Sequence, residues 1–316
     1  MPKLSFQYVQ HDVPETLLEF LVRRFRYHSA AEWETRIQGG HVTVNGKAVT
    51  PQHRLETRHR IVYDRPPGPE PEVDARYRVL YEDDALLAVS KSGNIPTSPS
   101  GKYWSNCLVH VLQRERGLPA LRAVHRLDRE TSGINLFAKD RAVARQLGLD
   151  FQHGRVRKGY AAIVAGAFPR GETFVQAPLR DTTTGSVRIR QEVHPAGRPA
   201  QTRFRLRARL AGQGPCGASL LRAEPLTGRT HQIRAHAALL GHPVWGDKLY
   251  GHADAEFLAW LHSPERHGAT RQLLHASELE FTHPTDGRRI LIRDPERVLV
   301  ELLLAGLGGR LVEVDL

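Results

Sequence analysis

Asp128 stands between Arg126 and Arg129 in the stretch "AVHRLDRETSGINLFAKD", residues 123 to 140. A positive charge beside a carboxylate favours its ionised form. An ionised carboxylate that is not spent on a bidentate pair can attack carbon as a nucleophile or remove a proton as a base. The same residues also suit a salt-bridged surface loop, and the stretch alone leaves both readings open. Further along lie "KGY", 158 to 160, and "LTGRTHQIRAH", 226 to 236, which bring a phenol, two arginines and two histidines.

Elements must bring such distant side chains together. In the long C-terminal region "YRVLYEDDALLAVSKS" reads as two short strands around an acidic turn, and "NCLVHVLQRERG" as a helix ended by Gly117 and Pro119. "YAAIVAGAF" and "TRFRLRARL" read as strands. In the second, Arg203, Arg205, Arg207 and Arg209 alternate with Phe204, Leu206, Ala208 and Leu210, so a period of two puts the guanidinium groups on one face and the apolar set on the other. A solvated sheet face and an RNA-contacting face both fit. "RTHQIRAHAALLGHPVWGD" reads as a helix closed by Gly241 and Pro243. Few helices and short turns between strands favour a mixed or antiparallel α+β sheet over a doubly wound one.

The segment "YDRPPGPEPEVDARY", 63 to 77, is rich in proline and reads as a linker. Before it, "ETLLEFLVRRF" carries Leu17, Leu18, Leu21, Val22 and Phe25 at helical spacing, with Arg23, Arg24 and Arg26 toward its basic end. "IQGGHVTVNGKAVTPQHRL" adds a strand through Val42 and Val44 and the Asn45-Gly46 hairpin signal. A basic helix face next to a tight hairpin suits the reading of RNA.

The whole chain bounds the answer. It has 316 residues and a formal charge of +11, from 45 Lys+Arg against 34 Asp+Glu, which favours a polyanionic partner. No apolar run is long enough to span a bilayer and the first residues lack the order of a signal peptide, so a cytoplasmic protein that avoids membranes is expected. Cys107 and Cys216 stand far apart, which argues against a disulfide framework or a cysteine-rich zinc site. "GQGPCG", 212 to 217, lacks the strand and helix that a nucleotide cradle requires.

In order and spacing, "HRLDRETSG", "KGYAAIVAG", "LTGRTHQIRAH" with "GHPVWGDKLYG", and "LLHASELEFTHP" resemble the RluA-type RNA pseudouridine synthases. The likeness covers nearly all of 77 to 316. The N-terminal segment resembles the alpha-L RNA-binding domain of the ribosomal-protein-S-four type. The resemblance implies an α+β pseudouridine synthase fold, with a mixed, largely antiparallel sheet, flanking helices and a central cleft. A small α+β RNA-binding domain (1–66) and a linker (67–76) would precede that catalytic domain (77–316).

It also implies roles. Asp128 would be the catalytic carboxylate, attacking the anomeric carbon or removing a ribose proton. Arg229 would pair with Asp128 and hold it ionised; the alternative for Arg229 is a phosphate contact. Tyr160 would stack on the target base and handle a proton. Arg126 would help displace the target nucleotide, with Leu127 packed beneath the loop. Lys158, Arg234, Arg23, Arg24 and Lys47 complete the expected RNA-binding set. No metal or other cofactor is implied, because the reaction is an isomerisation, and the partner is RNA, ribosomal or transfer, bound by a monomer. His125, His231, His236 and His242 read as structural or RNA-contacting; His231 and His236 are five apart, which does not put both on one helix face.

Two rivals are weaker. A non-catalytic RNA-binding relic would be free to lose Asp128, Tyr160 or Arg229, and a deaminase would need a zinc set with a glutamate. The chain departs from the family at "AVSKSGNIPTSPSG", 88 to 101, where members commonly have Lys-Pro-x-Gly and His-Pro. None of the proposed catalytic residues lies there.

Overall fold

The computed structural model describes residues 4–9, 14–25, 28–66, 68–182, 187, 189–211, 217–262, 271–295 and 310–314. Most of the 212–217 glycine segment, with Cys216, and Arg26 lie outside the described residues. The chain divides into two units, 1–72 with 99–105, and 73–98 with 106–316. That residues 99–105 belong with the N-terminal unit has a local cause. Glu70 accepts hydrogen bonds from the backbone N–H groups of Trp104 (2.8 Å) and Ser105 (2.9 Å), and Arg65 donates to the carbonyl of Lys102 (2.7 Å). Both anchors are side chains of the proline-rich stretch, which the sequence reads only as a spacer.

The first unit contains β1 (Leu4–Gln7), α1 (Leu17–Arg24), α2 (Ala30–Gln38), β2 (Val42–Val44), β3 (Lys47–Ala48) and β4 (Arg60–Tyr63), with the strands in the order β1-β4-β2-β3. Thr16 with Glu19, and Ser29 with Glu32, form capping boxes that start the two helices. Asn45 and Gly46 both take positive φ (52° and 79°), which closes the expected β2–β3 hairpin. Leu17, Leu21, Trp33, Ile37, Val42 and Ile61 form its core, and Arg23, Arg24 and Lys47 stay exposed.

The second unit contains β5 (Tyr77–Glu82), β6 (Leu86–Lys91), α3 (Leu108–Arg116), β7 (Arg122–Ala123), β8 (Ser132–Ala138), α4 (Arg141–Gln152), β9 (Arg157–Ala165), β10 (Glu172–Gln176), β11 (Leu179–Asp181) and β12 (Gln191–Val193). It continues through β13 (Gln201–Ala211), β14 (Ala218–Pro225), α5 (Gln232–Leu239), α6 (Asp254–His262), β15 (Leu274–Thr282), β16 (Arg289–Arg293) and β17 (Arg310–Val314). Its main sheet runs β10-β13-β14-β9-β15-β8-β6-β5, with β16 on β15, β17 on β13 and β7 on β8. Every pairing in it is antiparallel except β8 with β15, so the fold is the mixed, largely antiparallel α+β sheet expected.

The alternation in β13 is as read. Phe204, Leu206 and Ala208 are buried, and Arg205 and Arg207 are exposed. Glu172 pairs with Arg203 and with Arg205, each at 3.0 Å, so part of this face is neutralised within the sheet and the solvated reading is the better one. Gly117 ends α3 in the left-handed conformation (φ 64°), as its sequence predicts. The helix expected from "RTHQIRAH" begins later than the motif. His231 is its N-cap, in the left-handed region at φ 53°, and α5 proper starts at Gln232.

Candidate active site

Asp128 lies in the loop between β7 and β8, and that loop is fixed at nearly every residue. The N–H of Leu127 donates to Thr97 Oγ1 (3.1 Å) and that of Thr131 to the Asp128 carbonyl (3.1 Å). Arg271 donates to the carbonyl of Glu130, whose carboxylate takes Lys248 at 2.7 Å. Lys91 is buried, at 1% exposure, and its Nζ donates to the carbonyls of Ser92, Ile95 and Arg129. Burial, then Arg271, push this lysine down to about 7. The segment at 88–101, where the sequence departs from the family it resembles, thus holds the loop next to Asp128, a role with no signal in the residue types alone.

The sheet sets the spacing to Tyr160. Ala276 of β15 lies opposite Gly133 of β8 on one side and opposite Tyr160 of β9 on the other, so the start of β8 and the tyrosine are two strand spacings apart, roughly 10 Å. The approach at Gly133 is close: φ is +103°, and a Cβ there would sit 2.3 Å from the Ala276 carbonyl oxygen. Gly133→Ala is therefore expected to destabilise the protein by roughly 3 kcal/mol or more, from backbone strain and overpacking together. Gly171→Ala, at φ +90° with nothing within 4 Å, should cost only the strain, about 1–2 kcal/mol. Thermal unfolding of both variants checks the ranking, and equal losses would deny the close contact.

Beside Gly133, Ser132 Oγ meets His275 Nδ1 at 2.9 Å, and His275 Nε2 faces Asp294 Oδ2 at 3.3 Å. The arrangement looks like a hydrolytic triad, but all three residues are buried, which makes it a clamp between β8, β15 and the residue after β16.

The partner of Asp128 is Arg234. Its Nη1 meets Asp128 Oδ2 at 2.9 Å, and its Nε and Nη2 grip Asp247 at 2.6 and 2.8 Å. Arg229, expected in this place, instead donates its Nε to the Pro199 carbonyl at 2.9 Å. The reason is the left-handed turn at His231, which ends the loop carrying Arg229 and starts the helix that carries Arg234 inward. Arg234, expected among the RNA contacts, is 5% exposed and its guanidinium is shared between two carboxylates. Leu127, also expected among the RNA contacts, is 5% exposed and packs in the core with Leu86, Ile134 and Leu136.

Charge at the site follows. Burial opposes ionisation of Asp128, but His231, Arg234 and Arg126 prevail and hold its carboxyl below the usual range. His231, with Nε2 3.9 Å from Asp128 Oδ2, is itself pushed down to about 4, chiefly by burial, so near neutral pH the standing charges are the arginines. The Asp128 side chain is 24% exposed, and among the described residues its Oδ1 accepts no hydrogen bond. One oxygen is held and the other is open to react. Burial, then Asp128, raise the Tyr160 phenol well above its ordinary value, so it stays protonated and acts as a donor or a stacking face. Lys158 Nζ donates to the Thr227 carbonyl at 3.1 Å and is pushed down to about 8 by burial, then by Arg229.

The other motif histidines are occupied. His125 Nε2 meets the Leu136 N–H at 3.0 Å and its ring stacks on Phe151; His236 bridges Thr202 Oγ1 and the Ala177 carbonyl; His242 Nδ1 meets the Ala165 carbonyl. Arg126 is exposed and has no ion pair or hydrogen bond among the described residues. Arg23 is tied to Glu15 at 2.6 Å, and the guanidinium of Arg24 lies 5.6 Å from the Phe25 ring centre.

The site thus holds a carboxylate kept ionised beside a buried arginine, with one oxygen free of hydrogen bonds among the described residues, on a mixed sheet that also carries Tyr160. Comparison with known proteins identifies the family. Residues 85–239 match the RNA pseudouridylate synthase family and residues 15–61 match the S4 domain. The ribosomal large subunit pseudouridine synthase C of Escherichia coli is 36% identical over 279 residues, 82% of each chain. The protein of that name from Vibrio cholerae is 37% identical over 226 residues, 71% of this chain and 67% of the relative. Among solved structures, human RNA pseudouridylate synthase domain containing 1 superposes with a TM-score of 0.62 at 25% identity, covering 78% of this chain and 94% of that one. The chain belongs to the RNA pseudouridine synthase family, as its RluA-type motifs imply, and carries an S4 domain at its N-terminal end.

Proposed function

We propose that this enzyme converts uridine to pseudouridine in large-subunit ribosomal RNA, with Asp128 as the catalytic carboxylate. The observation that carries the chemistry is the asymmetry of Asp128, whose Oδ2 is bound by Arg234 while Oδ1 is free among the described residues. The bond from uracil N1 to ribose C1′ breaks, a bond from C5 to C1′ forms, and a proton leaves C5 while N1 gains one. The reaction balances with no other reactant. The choice of RNA rests on the relatives from Escherichia coli and Vibrio cholerae, both named for the large ribosomal subunit. Pseudouridine mapping of total RNA from cells with and without this gene tests it. Lost sites confined to large-subunit ribosomal RNA are expected; losses confined to transfer RNA would sink the substrate assignment.

Tyr160 offers a flat face for the extruded base, and Arg126, exposed and without an ion pair among the described residues, can occupy the space the base leaves. Lys158 and Arg229 are neighbours, and among the described residues neither has a carboxylate partner, which suits an RNA phosphate. Since Lys158 is charged below about 8 and neutral above, RNA affinity should fall as pH rises from 7 to 9. Lys158→Arg should flatten that fall in a filter-binding titration, and an undiminished pH dependence would remove Lys158 from the interface.

In the first unit, Arg24 and Lys47 are exposed cations with no carboxylate partner among the described residues, whereas Arg23 is already paired with Glu15. Arg24→Ala and Lys47→Ala should each lower the slope of log affinity against log salt by roughly 0.7 if the contact is to single-stranded RNA, with a smaller effect for Arg23→Ala. Unchanged slopes for both would give this unit another task.

A further inference from the structure

Asp128 is flanked by two side chains of α5 and its cap, His231 and Arg234, and each is gripped from behind by the loop that follows Pro243. Asp247 is 1% exposed. Its Oδ2 takes Arg234 Nε at 2.6 Å, and its Oδ1 takes Arg234 Nη2 at 2.8 Å together with the N–H groups of Leu249 (2.8 Å) and Tyr250 (3.1 Å). A planar guanidinium held at two nitrogens can aim the third in only one direction, and here that direction is Asp128 Oδ2.

Tyr250 does the corresponding work for His231. Its hydroxyl oxygen accepts the N–H of Gln191 at 2.8 Å and lies 3.2 Å from His231 Nδ1. Among the described residues no other acceptor for the phenol proton is in reach, so that proton goes to Nδ1. An imidazole that accepts at Nδ1 and is neutral must carry its own proton on Nε2, the nitrogen that faces Asp128 Oδ2 at 3.9 Å. The ring of Tyr250 also lies 5.2 Å from the Arg234 guanidinium carbon, which closes the cluster.

We propose that Asp247 and Tyr250 are positioning residues for the reaction. Asp247 aims Arg234, and Tyr250 fixes His231 as the Nε2–H tautomer, so that both donors converge on Oδ2 of Asp128 and Oδ1 is left for the nucleotide. The proposal rests on Asp128 being the catalytic carboxylate. Neither residue lies in the segment 85–239 that the family match covers; both stand in the "GHPVWGDKLYG" stretch, to which the resemblance attached no role.

The test separates positioning from folding. Asp247→Asn and Tyr250→Phe keep the side-chain shapes, and single-turnover pseudouridine formation on large-subunit ribosomal RNA gives the maximal rate and the half-saturating enzyme concentration separately. Expected are a fall in rate of about 100-fold for Asp247→Asn, the scale of an ångström's misplacement at a reacting group, and about 10-fold for Tyr250→Phe, with half-saturation within about threefold. Nitrogen-15 spectra of the free protein, with His231→Gln to assign the resonances, should show His231 protonated at Nε2 in the wild type and lose that single tautomer in Tyr250→Phe. Wild-type His231 protonated at Nδ1, a tautomer indifferent to Tyr250→Phe, or wild-type rates in both variants would overturn the proposal. The spectra need no RNA and no reaction, so a failure of Asp128 as the catalytic residue, read from its own variant, is distinguishable from a failure here.

Discussion

Asp128→Ala is expected to abolish pseudouridine formation while RNA affinity stays within about threefold of wild type. The loss should reach about 10⁴-fold, the upper range for removal of a positioned base or nucleophile. Folding should survive, because Arg234 keeps its two-point pair with Asp247 when Asp128 is removed, so no charge is stranded. Single-turnover assays and direct RNA binding on the same preparation separate the two quantities. Retained modification by the variant would remove Asp128 from the chemistry. The pH profile supplies a second check. A carboxyl held below its ordinary value of 3.8 is ionised throughout the neutral range, so the acid limb of the wild-type rate should not begin above about pH 5 for reasons of Asp128. The sign for stability is the same: a depressed folded pKa stabilises the fold above the unfolded value, and that contribution is lost as pH falls through the folded one.

Arg234 and Arg229 are expected to behave oppositely, although they stand in one motif. Arg234→Ala leaves Asp247 buried without its partner and should cost about 3–5 kcal/mol of stability, along with activity. Arg234→Lys restores a charge but not a planar fork able to reach both carboxylates, so the rate should still fall by about 100-fold with a smaller loss of stability. Arg229→Ala should leave the rate at saturating RNA within about threefold, weaken binding, and lower the salt slope by roughly 0.7. A larger loss of saturated rate in Arg229→Ala than in Arg234→Lys would return Arg229 to the place the motif suggests for it.

These two arginines show where reading a sequence stops. "GRTHQIR" contains both, five positions apart, and residue type cannot say which one turns inward. The decision is made by the backbone at His231. Its positive φ starts α5 at Gln232, so Arg234 lies on a helix that is buried along much of its length, and Arg229 stays on the loop before it. Helix periodicity gave the existence of α5 but not its first residue, because a left-handed histidine N-cap without a side-chain cap leaves no signature of the usual kind.

The loop at 88–101 teaches the same lesson from the other side. None of the proposed catalytic residues lies in it, yet Lys91 donates to the Arg129 carbonyl and Thr97 Oγ1 receives the Leu127 N–H, so this segment holds the loop that carries Asp128. Backbone carbonyls as partners are invisible in a sequence, since every residue has one. The Gly117 helix stop, the Asn45-Gly46 turn and the alternation of β13 were legible for the opposite reason, that local stereochemistry alone decides them.

By itself, then, the sequence determined the α+β class, a strongly basic chain, the family and the aspartate to which the motifs of that family point, since composition, period and short motifs are properties of neighbours along the chain. Only the tertiary structure decided which arginine meets Asp128, that Leu127 and Arg234 are buried, that residues 99–105 belong to the first unit, and that Asp247 and Tyr250 stand behind the site. Each of those depends on contacts between residues far apart in the chain, where the direction of a side chain is set by packing and by hydrogen bonds that no local pattern encodes.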